Sequence, residues 1–277
     1  MKLKKLAALS LTVLMTAALF AGCGSKPANA PASSAPDSSA SAEKGDLGYI
    51  TEKGKMIIGI TDYEPMDFRG ADGEWTGFDA EFAKAVCTKL GVEPEFIEID
   101  WDNKAFELDS KSIDCVWNGM TLTDEVKTAM ECSDAYVQNS QVVVMAKDKI
   151  DSFKDADSMK ELKFVAEAGS AGEKAIKEAG LDAKYTAVGT QTDALVEVAS
   201  GSSDACVIDI TMANAMTGEG TSYANLKSGL ALTTEEYVIG FRKGSNAAAK
   251  VNELMAEMKT DGTLDALASK YELTLAK

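Results

Sequence analysis

Residues 78–91 read Phe-Asp-Ala-Glu-Phe-Ala-Lys-Ala-Val-Cys-Thr-Lys-Leu-Gly, and they lie between two short apolar runs, KMIIGI at 55–60 and EFIEI at 95–99. Phe78, Phe82, Val86 and Leu90 recur every four residues, so they share one face of a helix. Gly91 ends that helix, because glycine takes the left-handed turn at a helix C-terminus without steric cost. KMIIGI reads as a buried strand, and EFIEI alternates as a half-buried one. Strand, helix, strand is the first folding unit, and it points to the α/β class.

The same rhythm extends along the chain. Residues 104–110 read as a helix, 113–117 (IDCVW) as a buried strand, 123–130 as a short helix and 141–147 (QVVVMAK) as an apolar strand. It then restarts. Strands are expected at 163–166, 184–188 and 205–208, with helices after Gly169-Ser170, over 192–200 and from Ile210. A strand at 236–242 (EYVIGFR) and helices over 246–259 and 263–271 close the chain. Two α/β units in series predict two lobes with mostly parallel sheets. Ligands in such sheets bind beyond the carboxyl ends of the strands. A cleft between two lobes is therefore the expected pocket.

The N-terminal residues speak about compartment. Lys2, Lys4 and Lys5 precede an apolar stretch over 6–21. It is short against the ~20 residues of a membrane span, and it has the pattern of a secretion signal over 1–22. Phe20-Ala21-Gly22-Cys23 resembles the lipobox of bacterial lipoproteins, which makes Cys23 the expected lipidation site and lipid anchor. The Ser-, Ala- and Pro-rich stretch that follows, to residue 47, cannot bury a core and reads as a disordered tether. The expected location is extracytoplasmic, with the chain lipid-anchored to the cell membrane.

Composition excludes several classes. The net charge is -16, which rules out a basic nucleic-acid surface. There is no histidine, so the commonest general base and metal ligand are missing together. Cys87, Cys115, Cys132 and Cys206 form no C-x-x-C pair, so neither a metal site nor a cofactor is expected. One disulfide is compatible with the compartment, with no pairing indicated.

Gly77-Phe78-Asp79-Ala80-Glu81-Phe82 resembles the signature of the bacterial extracellular solute-binding proteins of family 3, which bind polar amino acids. The likeness continues through Asp100-Trp101, IDCVWNGMTLT at 113–123, Ser133-Asp134-Ala135-Tyr136, Gly169-Ser170, Ser203-Asp204-Ala205 and Asp261-Gly262-Thr263-Leu264. It implies a two-lobed periplasmic-binding-protein fold, type II-like, whose lobes are joined by crossing strands at 141–147 and 236–242. Lobe 1 would comprise 48–143 and 238–277, and lobe 2 would comprise 144–237. Closure on the ligand would be a hinge motion. The implied role is the substrate-binding subunit of an amino-acid ABC importer: a monomer with a small amino acid or amine as ligand and membrane permease subunits as partners.

The resemblance also implies a site. Asp209 would hold the ligand's ammonium, the other reading being an N-cap for the helix at Ile210. Tyr63 and Trp101 would be aromatic platforms for the side chain. Asn118, Gly119 and Thr121, read as a loop after a strand, and Ser170 at a helix start would bind one end of the ligand. Trp117 is equally compatible with core packing and with lining the cleft. One departure matters. The family's carboxylate-binding arginine falls at Val126, and Ala171 replaces a common hydroxyl. The chain has only Arg69 and Arg242, and neither matches. Lys127 could substitute, helix N-termini could hold the carboxylate alone, or the ligand could differ from a standard amino acid.

Two rival functions share the fold. One is a dehydratase of aromatic amino-acid biosynthesis, for which the missing histidine and cleft arginine count against. The other is a ligand-presenting sensor acting in trans on a membrane receptor. If the missing arginine limits binding, Val126→Arg should tighten the affinity for ordinary amino acids; an unchanged or weaker affinity by titration calorimetry would contradict this.

Overall fold

The computed structural model describes residues 45–277. The expected signal segment, the lipidated Cys23 and the tether up to residue 44 lie outside the described residues. The fold begins earlier than the Gly48 expected from sequence, with α1 (Gly45–Lys53). Buried charge explains the difference. Arg242 donates from Nη2 to Asp46 Oδ1 at 2.7 Å and to Asp114 Oδ1 at 3.2 Å, and from Nη1 to the Ile113 carbonyl at 2.6 Å. Lys53 Nζ reaches Asp114 Oδ2 at 2.6 Å. These bonds hold α1 against the first sheet, and they leave Arg242 no part in binding a ligand.

In the first sheet, β1 (Lys55–Ile60) pairs in parallel with β4 (Glu93–Glu98) and β5 (Cys115–Thr121). The strand β13 (Glu235–Arg242) runs antiparallel to β5, β6 (Met130–Cys132) and β7 (Val137–Asn139). In the second sheet, β9 (Phe164–Glu167) pairs in parallel with β10 (Tyr185–Val188) and β11 (Ala205–Asp209). There β8 (Gln141–Ala146) runs antiparallel to β11 and to β12 (Leu226–Ala231). The sheets are therefore mixed rather than mostly parallel. The strands that carry the chain between sheets must run back against their neighbours. The crossings themselves are short: Ser140 between β7 and β8, and residues 232–234 between β12 and β13. They replace the longer crossings expected at 141–147 and 236–242.

Helix α2 (Phe78–Leu90) follows the small hairpin of β2 (Phe68–Arg69) and β3 (Trp75–Thr76). Phe78, Phe82 and Val86 are buried, as their spacing requires. The Phe82 ring meets Trp117 edge-on at 4.9 Å between centroids, and Phe78 stacks on Tyr136 at 6.0 Å. Such aromatic pairs add about 0.5–1.5 kcal/mol beyond area burial. Trp117 is 0% exposed, so of its two readings the core one holds. Helices α8 (Ala247–Thr260) and α9 (Thr263–Lys270) pack on α2. Helices α3 (Lys104–Asp109) and α4 (Asp124–Ala129) flank the first sheet, and α5 (Ala171–Glu178), α6 (Gln191–Ser200) and α7 (Ile210–Met216) flank the second. All four cysteines of the described residues are free thiols.

Asp79 ties α2 to the sheet. It is fully buried, and its Oδ2 accepts from the Gly119 amide at 2.6 Å and the Tyr136 hydroxyl at 2.8 Å. Gly77 permits this entry: its φ is 115°, and a Cβ there would stand 2.2 Å from the Met66 carbonyl oxygen. Gly77→Ala should therefore destabilise the protein by about 3 kcal/mol or more, from strain and steric overlap together. A urea midpoint within error of the wild type would refute that account.

Candidate functional site

A cavity of about 390 Å³ lies between the carboxyl ends of β5 on one side and β9 and β11 on the other. Seven residues singled out from sequence line it: Tyr63, Trp101, Asn118, Gly119, Thr121, Ser170 and Asp209. Two do not. Trp117 is in the core, and Lys127 is exposed and paired to Asp124 at 3.5 Å. The helical turn of α4 presents Val126 and Glu125 to the cavity instead. One residue further along a helix rotates a side chain by about 100°, so Lys127 cannot take the arginine's place.

Asp209 is the last residue of β11 and is 5% exposed. It stands at the N-cap of α7 but makes no capping bond. Its carboxylate instead accepts from side-chain amides: Asn139 and Gln141 Nε2 (2.8 Å) on Oδ1, and Gln191 Nε2 (2.5 Å) on Oδ2. Asn139 and Gln141 also donate to Glu235 at 2.7 and 2.6 Å, so two carboxylates share neutral donors. Among the described residues no cation lies within 4 Å of Asp209. Burial pushes its carboxyl well above the ordinary range, and the charge of Glu235 adds to this.

The other predicted side chains are largely committed elsewhere. Asn118 accepts from Thr61 and donates to the Thr61 carbonyl at 3.0 Å and to Asp67 at 2.8 Å. Thr121 donates to Glu235 at 2.7 Å, and Ser170 caps α5 by accepting from the Glu173 amide at 3.1 Å. Residues 118–121 are strand, not the expected loop, because β13 extends the ladder along them. Gly119 has φ 55°, and a Cβ there would lie 2.7 Å from Tyr63 Cε1. Tyr63 is 2% exposed, with its hydroxyl 2.5 Å from those of Thr211 and Tyr237. Trp101 carries the Lys104 ammonium 4.8 Å from its ring centroid.

Lys104 and Glu167 were not singled out from sequence. Lys104 Nζ donates to the carbonyls of Trp101 and Gly169, each at 3.0 Å, so it reaches from one side of the cavity to the other. A second bridge joins Lys174 to Glu125 at 3.0 Å, and this bond holds Glu125 down at about 2. Glu167 ends β9 as Asp209 ends β11, in the same position at a strand's carboxyl edge. That placement was the available sequence signal. Nothing in the pattern around Lys104 marks it.

This fold and cavity define a two-lobed ligand-binding protein. The chain belongs to the bacterial extracellular solute-binding proteins, family 3, whose model matches residues 56–274. It is 30% identical to the L-cystine-binding protein TcyJ of Escherichia coli (strain K12), over 98% of this chain and 97% of that protein. Among solved structures it is similar to an ABC uptake transporter substrate-binding protein from Streptococcus pneumoniae with bound histidine. There the TM-score is 0.74 and the identity 28%, over 83% of this chain and 96% of that one. It is also similar to AncCDT-1, an ancestral amino-acid-binding protein and precursor of cyclohexadienyl dehydratase. There the TM-score is 0.74 and the identity 32%, over 81% of this chain and 98% of that one.

Buried acids make stability depend on pH. Burial pushes Glu167 up to about 8 and raises Asp209 and Asp79 as well. In the unfolded chain carboxyls titrate near 4. Between those limits the folded state holds protons that the unfolded state releases, so stability falls as pH rises. The urea midpoint of the ligand-free protein should be higher at pH 5 than at pH 8, and Glu167→Gln should flatten part of that slope. A midpoint that climbs from pH 5 to 8 would contradict the assignment.

Proposed function

We propose that this chain is the substrate-binding subunit of an amino-acid ABC importer, closing over its ligand with the ligand's ammonium at Asp209. The observation that carries this reading is Asp209 itself: a buried carboxylate lining the cavity, with amide donors and no cation within 4 Å among the described residues. A buried charge without an opposite charge is costly, and an ammonium from a ligand removes that cost. Lys104 suits the ligand's carboxylate in place of the missing guanidinium. It is the lining lysine with no carboxylate within ion-pair distance, since Lys174 and Lys177 are paired to Glu125 and Glu173. Tyr63 and Trp101 supply aromatic walls. The contacts from Lys104 to Gly169 and from Lys174 to Glu125 are ones that hinge opening would break.

Export over 1–22, a lipid at Cys23 and a tether leading to the fold belong to the same reading. They keep a monomeric binding protein beside membrane permease subunits. The chain acts by binding and not by turnover. Glu167, buried and proton-holding, is the one feature that favours a dehydratase, because a general acid needs such a group. Five carboxylates against three lysines line the cavity, which disfavours a dianionic substrate of that class.

A thermal-shift panel of amino acids and amines on solute-stripped protein tests the reading. A true ligand at 100 times its Kd stabilises the fold by about 2.7 kcal/mol. Asp209→Asn should weaken that ligand by about ten- to hundredfold, as expected for a charged hydrogen bond. No stabilisation by any amino acid, or an unchanged affinity in Asp209→Asn, would reject it.

A further inference from the structure

Glu167 has no role in the reading above, yet it lines the same cavity at the carboxyl end of β9, next to β11. It is 3% exposed, and its Oε1 is buried without a hydrogen-bond partner. No lysine or arginine of the described residues stands within 4 Å of it; the cavity's ion pairs are Lys174 with Glu125 and Glu178, and Lys177 with Glu173. The ionisable groups of the cavity without an ion-pair partner are then two carboxyls, Asp209 and Glu167, and one ammonium, Lys104. A ligand that pairs all three in their ionised forms brings two cationic nitrogens and one carboxylate.

We propose that Glu167 is a specificity-determining residue that accepts a side-chain nitrogen of the ligand, selecting dibasic L-amino acids such as arginine, lysine and ornithine over neutral ones. This rests on the assignment of Asp209 to the α-ammonium. The proton that burial holds on Glu167, with its carboxyl pushed up to about 8, leaves as a cationic nitrogen arrives. Lys104 acts on Glu167 through space but spends its hydrogen bonds on the Trp101 and Gly169 carbonyls, so it leaves Oε1 open to the ligand.

The test is titration calorimetry on the full chain, stripped of solute, with L-arginine, L-lysine, L-ornithine, L-glutamine and L-cystine. The dibasic amino acids should bind at least about tenfold more tightly than glutamine, and Glu167→Gln should remove most of that preference while leaving glutamine within about threefold. Cystine adds a second carboxylate along with its second ammonium and should bind less tightly than arginine. Tighter binding of glutamine or cystine than of the dibasic amino acids overturns the proposal. So does an arginine-to-glutamine ratio unchanged in Glu167→Gln. If Glu167→Gln fails to fold, the wild-type panel decides alone. Asp209→Asn separates the two levels: neutral amino acids that bind through Asp209 without a dibasic preference overturn only the role of Glu167. Absence of binding by every compound overturns both.

Discussion

Two buried acids on one cavity, neither with a cation within 4 Å among the described residues, are the constraint on which this structure turns. Asp209 and Glu167 sit at the ends of neighbouring strands of one sheet, both nearly inaccessible to solvent. Burial favours their protonated forms, and no cation of the described residues lies within 4 Å of either. Neutral amides from Asn139, Gln141 and Gln191 orient Asp209 without cancelling its charge. A site so arranged is stabilised most by a partner of opposite charge that enters from outside.

The amides that orient Asp209 come from the place where the chain passes between sheets. Asn139 is the last residue of β7 and Gln141 the first of β8, with Ser140 alone between them. Both also bond Glu235, the first residue of β13 at the other crossing. Ligand site and crossing point thus share one hydrogen-bond network. The contacts from Lys104 to Gly169 and from Lys174 to Glu125 span the other side of the cavity.

At the position of the missing arginine the cavity has an apolar wall. Val126 faces the cavity, while the next residue, Lys127, turns to solvent. The cation arrives instead from α3, a helix separate in sequence, as Lys104 folds back over Trp101. Burial lowers the affinity of Lys104 for its proton. Arg242 shows the opposite fate. It is committed to Asp46 and Asp114 and serves only to hold the first helix to the sheet.

Much of the architecture was legible from residue periodicity. The four-residue spacing of Phe78, Phe82 and Val86, the apolar runs of β1, β5, β8 and β11, and the placement of Asp209 at a strand's carboxyl edge depend only on local geometry, which the chain carries in its order. Three things were not legible, for a common reason. The strand character of residues 118–121 depends on pairing with β13, more than a hundred residues away. The helix at Gly45 depends on Arg242 reaching back to Asp46. The convergence of Lys104, Glu167 and Asp209 depends on three separate segments meeting across one cavity. The sequence by itself determined the α/β class, the two-part organisation and an acid at a strand's carboxyl edge. Tertiary structure alone decided which charges are left without partners, because burial and pairing are properties of the assembled space and not of any single segment.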